Sequence, residues 1–208
     1  MSALLLKDLY MIKRDCRGNV ILCLVFAVAG IAGNSIFFAI WPLLFCALIP
    51  STLLGLEEQA GWQAYADTMP WSRKTVVTEK YVLTLSLSVC VTAVLTVVYA
   101  LTGALGRTGI GPGDLLIVGI FVLGMLPASF MLPVTFKFGM VKGRTAYMVC
   151  LMVMGALLGI LSSLSGEVTD FLTAGPQTLL LALLIAIPTV LFAASWVLAV
   201  KFYEAREL

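Results

Sequence analysis

The sequence predicts an all-α polytopic membrane protein, and three observations carry that prediction. The first is composition. Hydrophobic residues make up 61% of the 208-residue chain and charged residues 12%, about half the charged share of a soluble domain. The second is pattern. The apolar residues gather in six runs, at about 19–34, 36–56, 80–102, 115–136, 146–165 and 176–200. Roughly 18 to 20 apolar residues cross about 30 Å of hydrocarbon as a helix. The runs are continuous rather than alternating, so they read as helices and not as barrel strands. The third is charge. With six spans both termini share one side. That side holds Lys7, Lys13, Arg14, Arg17, Arg73, Lys74, Lys80, Lys137, Lys142, Arg144, Lys201 and Arg206, against Arg107 alone on the other. Basic residues stay on the cytoplasmic side, so both termini are expected there.

The elements follow in order. Residues 1–18 are expected to form an interfacial elbow helix: Leu5, Leu9, Ile12 and Cys16 fall on one helical stripe, with Lys7, Lys13, Arg14 and Arg17 largely off it. The "AVAG" at Ala27–Gly30 resembles a signal-peptidase site. Apolar character resumes at once, so the first span is expected to be retained. Gly33-Asn34-Ser35 then joins the first two spans as a tight hairpin.

Residues 57–79 form the one sizeable polar loop on the basic side. The stretch LEEQAGWQAYADTMPWSRKTVVTEKY from Leu56 holds seven of the chain's charged residues. Glu58, Trp62, Tyr65 and Met69 have the spacing of one helix face, with Gln59, Gln63 and Ala66 towards another. Pro70 ends that helix. Ser72 is an N-cap for the helix running into the third span, with Trp71 and Val76 placed as a hydrophobic staple. An aromatic face of this kind suits either a membrane surface or a groove in a partner protein.

Pro42, Pro50, Pro127, Pro133 and Pro188 lie inside spans, where they bend helices. Gly155 and Gly159 form a G-x-x-x-G on the fifth span, which marks either a contact between two helices of one chain, the commoner case and the one expected, or a dimer seam. Phe37, Phe38, Trp41, Trp196 and Tyr203 are placed as aromatic belts. The opposite loops, 103–114 and 166–175, are too short for folded domains. No repeat or low-complexity linker divides residues 1–208, which form a single domain.

Absences narrow the chemistry. There is no histidine, which removes H-E-x-x-H zinc sites and serine–histidine dyads. Glu57-Glu58 therefore lacks the histidines a membrane protease would need. The five cysteines form no C-x-x-C pair and read as packing residues, and no metal site is expected. No phosphate-binding loop occurs, so the chain is expected to be non-catalytic and to hold no cofactor. The charged residues all sit in loops or at span ends, as Lys80 does, which argues against ion-coupled transport. Nothing points to nucleic acid.

The residues Glu57-Glu58, Gly61-Trp62, Tyr65, Met69-Pro70, Ser72-Arg73-Lys74, Val77 and Lys80-Tyr81 resemble the first cytoplasmic loop of ABC-2-type permeases, the membrane subunits of ATP-binding-cassette exporters. The likeness is nearest to the short six-span bacterial branch that includes bacitracin-type and phenol-soluble-modulin-type peptide exporters. Met69-Pro70 stands where that branch commonly has Leu-Pro, and Glu57-Glu58 where it has Asp-Glu. The motif covers about 25 residues, and the topology extends the likeness to the whole chain.

The resemblance implies a multi-pass protein of the bacterial plasma membrane that works with two copies of an ATPase subunit, on which ATP and Mg are bound. It implies a second copy of this chain as homodimer and a coupling helix in the loop. The docking residues it points to are Glu57, Glu58, Trp62, Tyr65, Arg73 and Lys74. Apolar spans suit a hydrophobic or amphipathic cargo, with a peptide favoured by the resemblance. The competing readings are a non-transporting membrane assembly or immunity protein, and a stand-alone secondary transporter or channel.

Overall fold

A computed structural model describes residues 2–32, 36–62, 72–104, 115–163 and 177–205. Among these residues the chain forms seven helices: α1 (Ser2–Asp15), α2 (Arg17–Ala32), α3 (Ile36–Gln59), α4 (Arg73–Ala104), α5 (Leu115–Phe138), α6 (Met140–Ser163) and α7 (Gln177–Glu204). The all-helical class is as predicted. Over the side chains described, Ile40–Gln59, Arg73–Val98 and Ile185–Glu204 are each long and apolar enough to cross a membrane. Arg17–Gly30 is a shorter apolar helix. The Gly33–Ser35 turn, the loops at 105–114 and 164–176, and Tyr65, Pro70 and Trp71 lie outside the described residues.

α5 is the central element. It packs most extensively on α7 and α6 and also on α3, while α2 folds back on α3. The core along α5 joins Leu54, Val77, Tyr81, Met125, Leu132, Phe136 and Val200. A second core joins Ile12 and Cys16 of the α1 end to Cys46, Ile49, Leu53 and Leu83. Tyr203, expected in an aromatic belt, is instead buried against Phe136, with ring centroids 5.5 Å apart. Its ring follows the α7 face that packs on α5. Trp41 stacks on Phe26 across the α2–α3 hairpin.

The prolines lie inside α3, α5 and α7 as predicted. At Pro133 the consequence is visible. Proline has no N–H, so the carbonyl of Ser129, four residues earlier, loses its helical donor. Ser195 Oγ of α7 donates to that carbonyl at 2.5 Å. Tyr81 Oη of α4 lies 2.7 Å from Ser195 Oγ. Three helices thus meet at one proline-vacated carbonyl.

The G-x-x-x-G expectation needs correction at its first residue. Among the described residues a Cβ at Gly155 would meet nothing within 4 Å, so no described helix comes close at this glycine. The close approach falls at Gly124 instead, where a Cβ would sit 2.2 Å from Leu43 Cδ2. That glycine is what lets α5 lie directly on α3.

α1 is a helix as expected, but its buried face differs from the predicted stripe. Leu4, Asp8, Ile12 and Cys16 are buried, while Leu9 is 53% exposed. The predicted stripe does not include Asp8. The fold turns it inward because a buried ammonium group waits there.

Candidate functional site: a buried ion cluster beneath the polar loop

The polar loop is anchored at both ends by local rules. α3 stops at Gln59, and Gly61 takes φ +66°, the left-handed turn that glycine adopts at helix C-termini without steric cost. Its N–H reaches the Glu58 carbonyl at 3.2 Å. The expected single helical face through Glu58 and Trp62 is therefore interrupted, because the chain turns between them. At the far end Ser72 caps α4 as predicted: its Oγ accepts from the Thr75 N–H at 3.3 Å and lies 2.8 Å from Thr75 Oγ1.

Beneath the loop sits a cluster of charged side chains from three helices. Lys80 of α4 is completely buried. Its Nζ lies 2.5 Å from Asp8 Oδ2 of α1 and 2.8 Å from Glu57 Oε1 of α3. Lys7 also pairs with Glu57 Oε1, and its Nζ lies 3.4 Å from Asp8 Oδ1. Glu79 is 1% exposed, and its Oε2 stands 3.8 Å from Lys80 Nζ. Among the described residues both Glu79 oxygens and Asp8 Oδ1 accept no hydrogen bond. Two lysines thus face three acidic side chains, and Glu79 is the one held least closely.

The electrostatics follow from this geometry. Burial alone would push the Asp8 carboxyl up. The Lys80 ammonium in contact with it, helped by Lys7, outweighs burial and holds it below the usual carboxylate range. An unpaired charge in such a site is very costly, whereas a well-paired one is tolerated. The cluster therefore fixes α1, α3 and α4 to one another at the base of the loop.

The predicted docking residues are distributed around this base. Glu57 is 4% exposed and spends its carboxylate on the two lysines. Trp62 lies under Lys7, whose Nζ is 4.4 Å from a ring centroid, a cation–π contact. Glu58 is exposed and points to the start of α6, where its Oε2 accepts from the Met140 N–H at 3.4 Å. A carboxylate there complements the positive end of the helix dipole. It can reach because Gly139, with φ +86°, breaks the chain between α5 and α6, and a Cβ there would lie 3.2 Å from the Glu58 oxygens. Arg73 and Lys74 turn to the C-terminal end of α7. Arg73 Nη1 donates to the Glu204 carbonyl at 3.5 Å, and Lys74 Nζ lies 3.9 Å from Glu204 Oε1. Tyr65 lies outside the described residues.

The structure thus gathers Glu57 and Trp62 about Lys7, and sends Glu58 to α6 and the Arg73–Lys74 pair to α7. Sequence reasoning missed Lys7, Asp8, Glu79 and Lys80 as a unit. A signal existed: a lone carboxylate in an amphipathic helix and a Glu-Lys pair at the mouth of an apolar run. Among the described residues no group of acidic or cysteine side chains is arranged to hold a metal ion.

A bundle of apolar helices, three of them long and apolar enough to cross a membrane over the described side chains, defines an integral membrane protein. A family described as "ABC-2 family transporter protein" matches residues 3–204. The chain belongs to that family, and so is an ABC-2-type permease. No match is found among curated proteins or solved structures.

Proposed function

We propose that the chain is the membrane-spanning permease subunit of an ATP-binding-cassette exporter, moving a hydrophobic or amphipathic cargo outward. An ATPase subunit, carrying the ATP and Mg, docks on the loop between α3 and α4. Two copies of the permease and two of the ATPase form the working unit, with six spans per permease and both termini in the cytoplasm. A peptide is the favoured cargo, by resemblance to the bacitracin-type and phenol-soluble-modulin-type exporters.

The observation that carries this reading is the footing of the loop. A loop that only rests on the membrane needs no rigid base. Here Lys80, Asp8 and Glu57 tie three helices together directly below it, and Glu58, Arg73 and Lys74 reach the ends of two more. Displacement of the loop is therefore passed to five helices at once. Glu57 belongs to this footing, and Trp62, Tyr65 and Glu58 to the contact surface.

Co-purification is the direct test. The tagged chain, purified from its native membranes, should bring down a cassette ATPase subunit in equal amount and stimulate its ATP hydrolysis. The chain alone should show no turnover above background. Recovery of the chain without any ATPase, together with full transport by the chain alone, would sink the proposal.

A further inference from the structure

A second concentration of charge lies at the corner where α1 meets α2, outside the cluster described above. A concavity of about 620 Å³ there is lined by Lys7, Tyr10, Met11, Lys13, Arg14 and Arg17. Four of those six side chains are cationic. Lys7 spends its charge on Glu57, and Arg14 Nε lies 3.1 Å from Asp15 Oδ1. Lys13 and Arg17 have no carboxylate within ion-pair distance among the described residues. Arg17 Nε donates to the Lys13 carbonyl at 2.7 Å. That bond folds Arg17 back over the end of α1, and both uncompensated cations line the same concavity.

The surface below the corner is apolar. Ile21, Leu24, Val25 and Val28 of α2 are 56–62% exposed and recur at i, i+3, i+4 and i+7, one helix face. With Val20 they cover about 12 Å along the axis at 1.5 Å per residue, close to the ~15 Å depth of one leaflet. A double cation directly above a leaflet-deep aliphatic face is complementary to a phosphate headgroup joined to acyl chains. A free phosphate would use only the upper half.

We propose that the α1–α2 corner is a binding site for an anionic phospholipid, its phosphate held by Lys13 and Arg17 and its chains laid along Ile21, Leu24, Val25 and Val28. The proposed function enters only in assigning the lipid to the cytoplasmic leaflet. Because Lys7 both walls the concavity and sits over Trp62, the lipid lies one residue away from the loop.

Native mass spectrometry of the full chain, released from mixed micelles of phosphatidylglycerol and phosphatidylcholine, tests this without any ATPase or transport readout. The wild type should retain phosphatidylglycerol in preference. Lys13→Gln with Arg17→Gln should weaken that retention by roughly 25-fold, about 5-fold per cation at a membrane surface, and leave phosphatidylcholine unchanged. Lys13→Arg with Arg17→Lys should keep the preference, and Lys201→Gln, an exposed cation on α7, should not alter it. Millimolar inorganic phosphate should not displace the lipid. An undiminished preference in the glutamine variant, an equal loss with Lys201→Gln, loss of the preference in the charge-conserving variant, or displacement by free phosphate would each overturn the assignment.

Discussion

Lys80 Nζ lies 2.5 Å from Asp8 Oδ2, a contact between residues 72 positions apart in which neither side chain is exposed. Removing one partner of such a pair leaves a buried charge unmatched, which costs about 3–5 kcal/mol. Asp8→Asn and Glu57→Gln should each lower the thermal unfolding temperature in detergent by several degrees. Glu79→Gln keeps the shape of its side chain and removes the carboxylate that the lysines hold least closely. It should leave the transition unchanged or raise it. A large loss with Glu79→Gln and none with Asp8→Asn would show that the charges are balanced differently.

The pH dependence of this pair has a definite sign. Asp8 is held below its ordinary value of 3.8 in the folded protein. Its ion pair therefore contributes stability at every pH above 3.8, and that contribution is lost as pH falls through the lower folded value. In a Glu79→Gln background, where the neighbouring carboxyl cannot titrate, the stability lost on Asp8→Asn should be the same at pH 7 and pH 5 and should shrink only below about pH 4. A gap that closed between pH 7 and pH 5 would contradict the assignment.

At Pro133 a double-mutant cycle separates cause from coincidence. Ser195→Ala removes the donor to the Ser129 carbonyl and should cost about 1–3 kcal/mol, the penalty for an unsatisfied buried group. Pro133→Ala restores the helical N–H to that carbonyl. In a Pro133→Ala background Ser195→Ala should therefore cost clearly less, a coupling that chemical or thermal unfolding can measure. Additive losses would mean that Ser195 does not compensate for the proline.

Docking is tested at the loop. Trp62→Ala with Tyr65→Ala should insert normally, because both positions lie outside every predicted span. The pair should lose ATPase capture, since aromatic hot spots are worth about 2 kcal/mol or more each. Gln59→Ala with Gln63→Ala should change little. Retained capture in the aromatic variant and loss in the glutamine variant would move the contact to the other face.

Orientation can be read by cysteine labelling in sealed cells. Probes at Gly109 or Ser165 should react with an impermeant reagent, while probes at Gln63 or Val141 should not. Val141 is 78% exposed at the start of α6, so protection there would report sidedness rather than burial. External labelling of Gln63 would reverse the topology.

By itself the sequence determined the helical membrane class, the place of the prolines, the Ser72 cap and the position of the polar loop. These features depend on composition and on residues a few positions apart, so they are written along the chain. Tertiary structure alone decided which way α1 faces. A helical pattern sorts side chains by hydrophobicity, and the predicted stripe puts Leu9 inside and leaves Asp8 out. The fold reverses this because Lys80, 72 residues away, needs a counter-charge where water is excluded. The same holds for Glu57, legible as a loop acid but committed to Lys7 and Lys80 once three helices converge. It holds for Ser195, whose partner is a carbonyl vacated by a proline on another helix. Paired charges and borrowed hydrogen bonds are long-range in sequence, and only packing brings their two halves together.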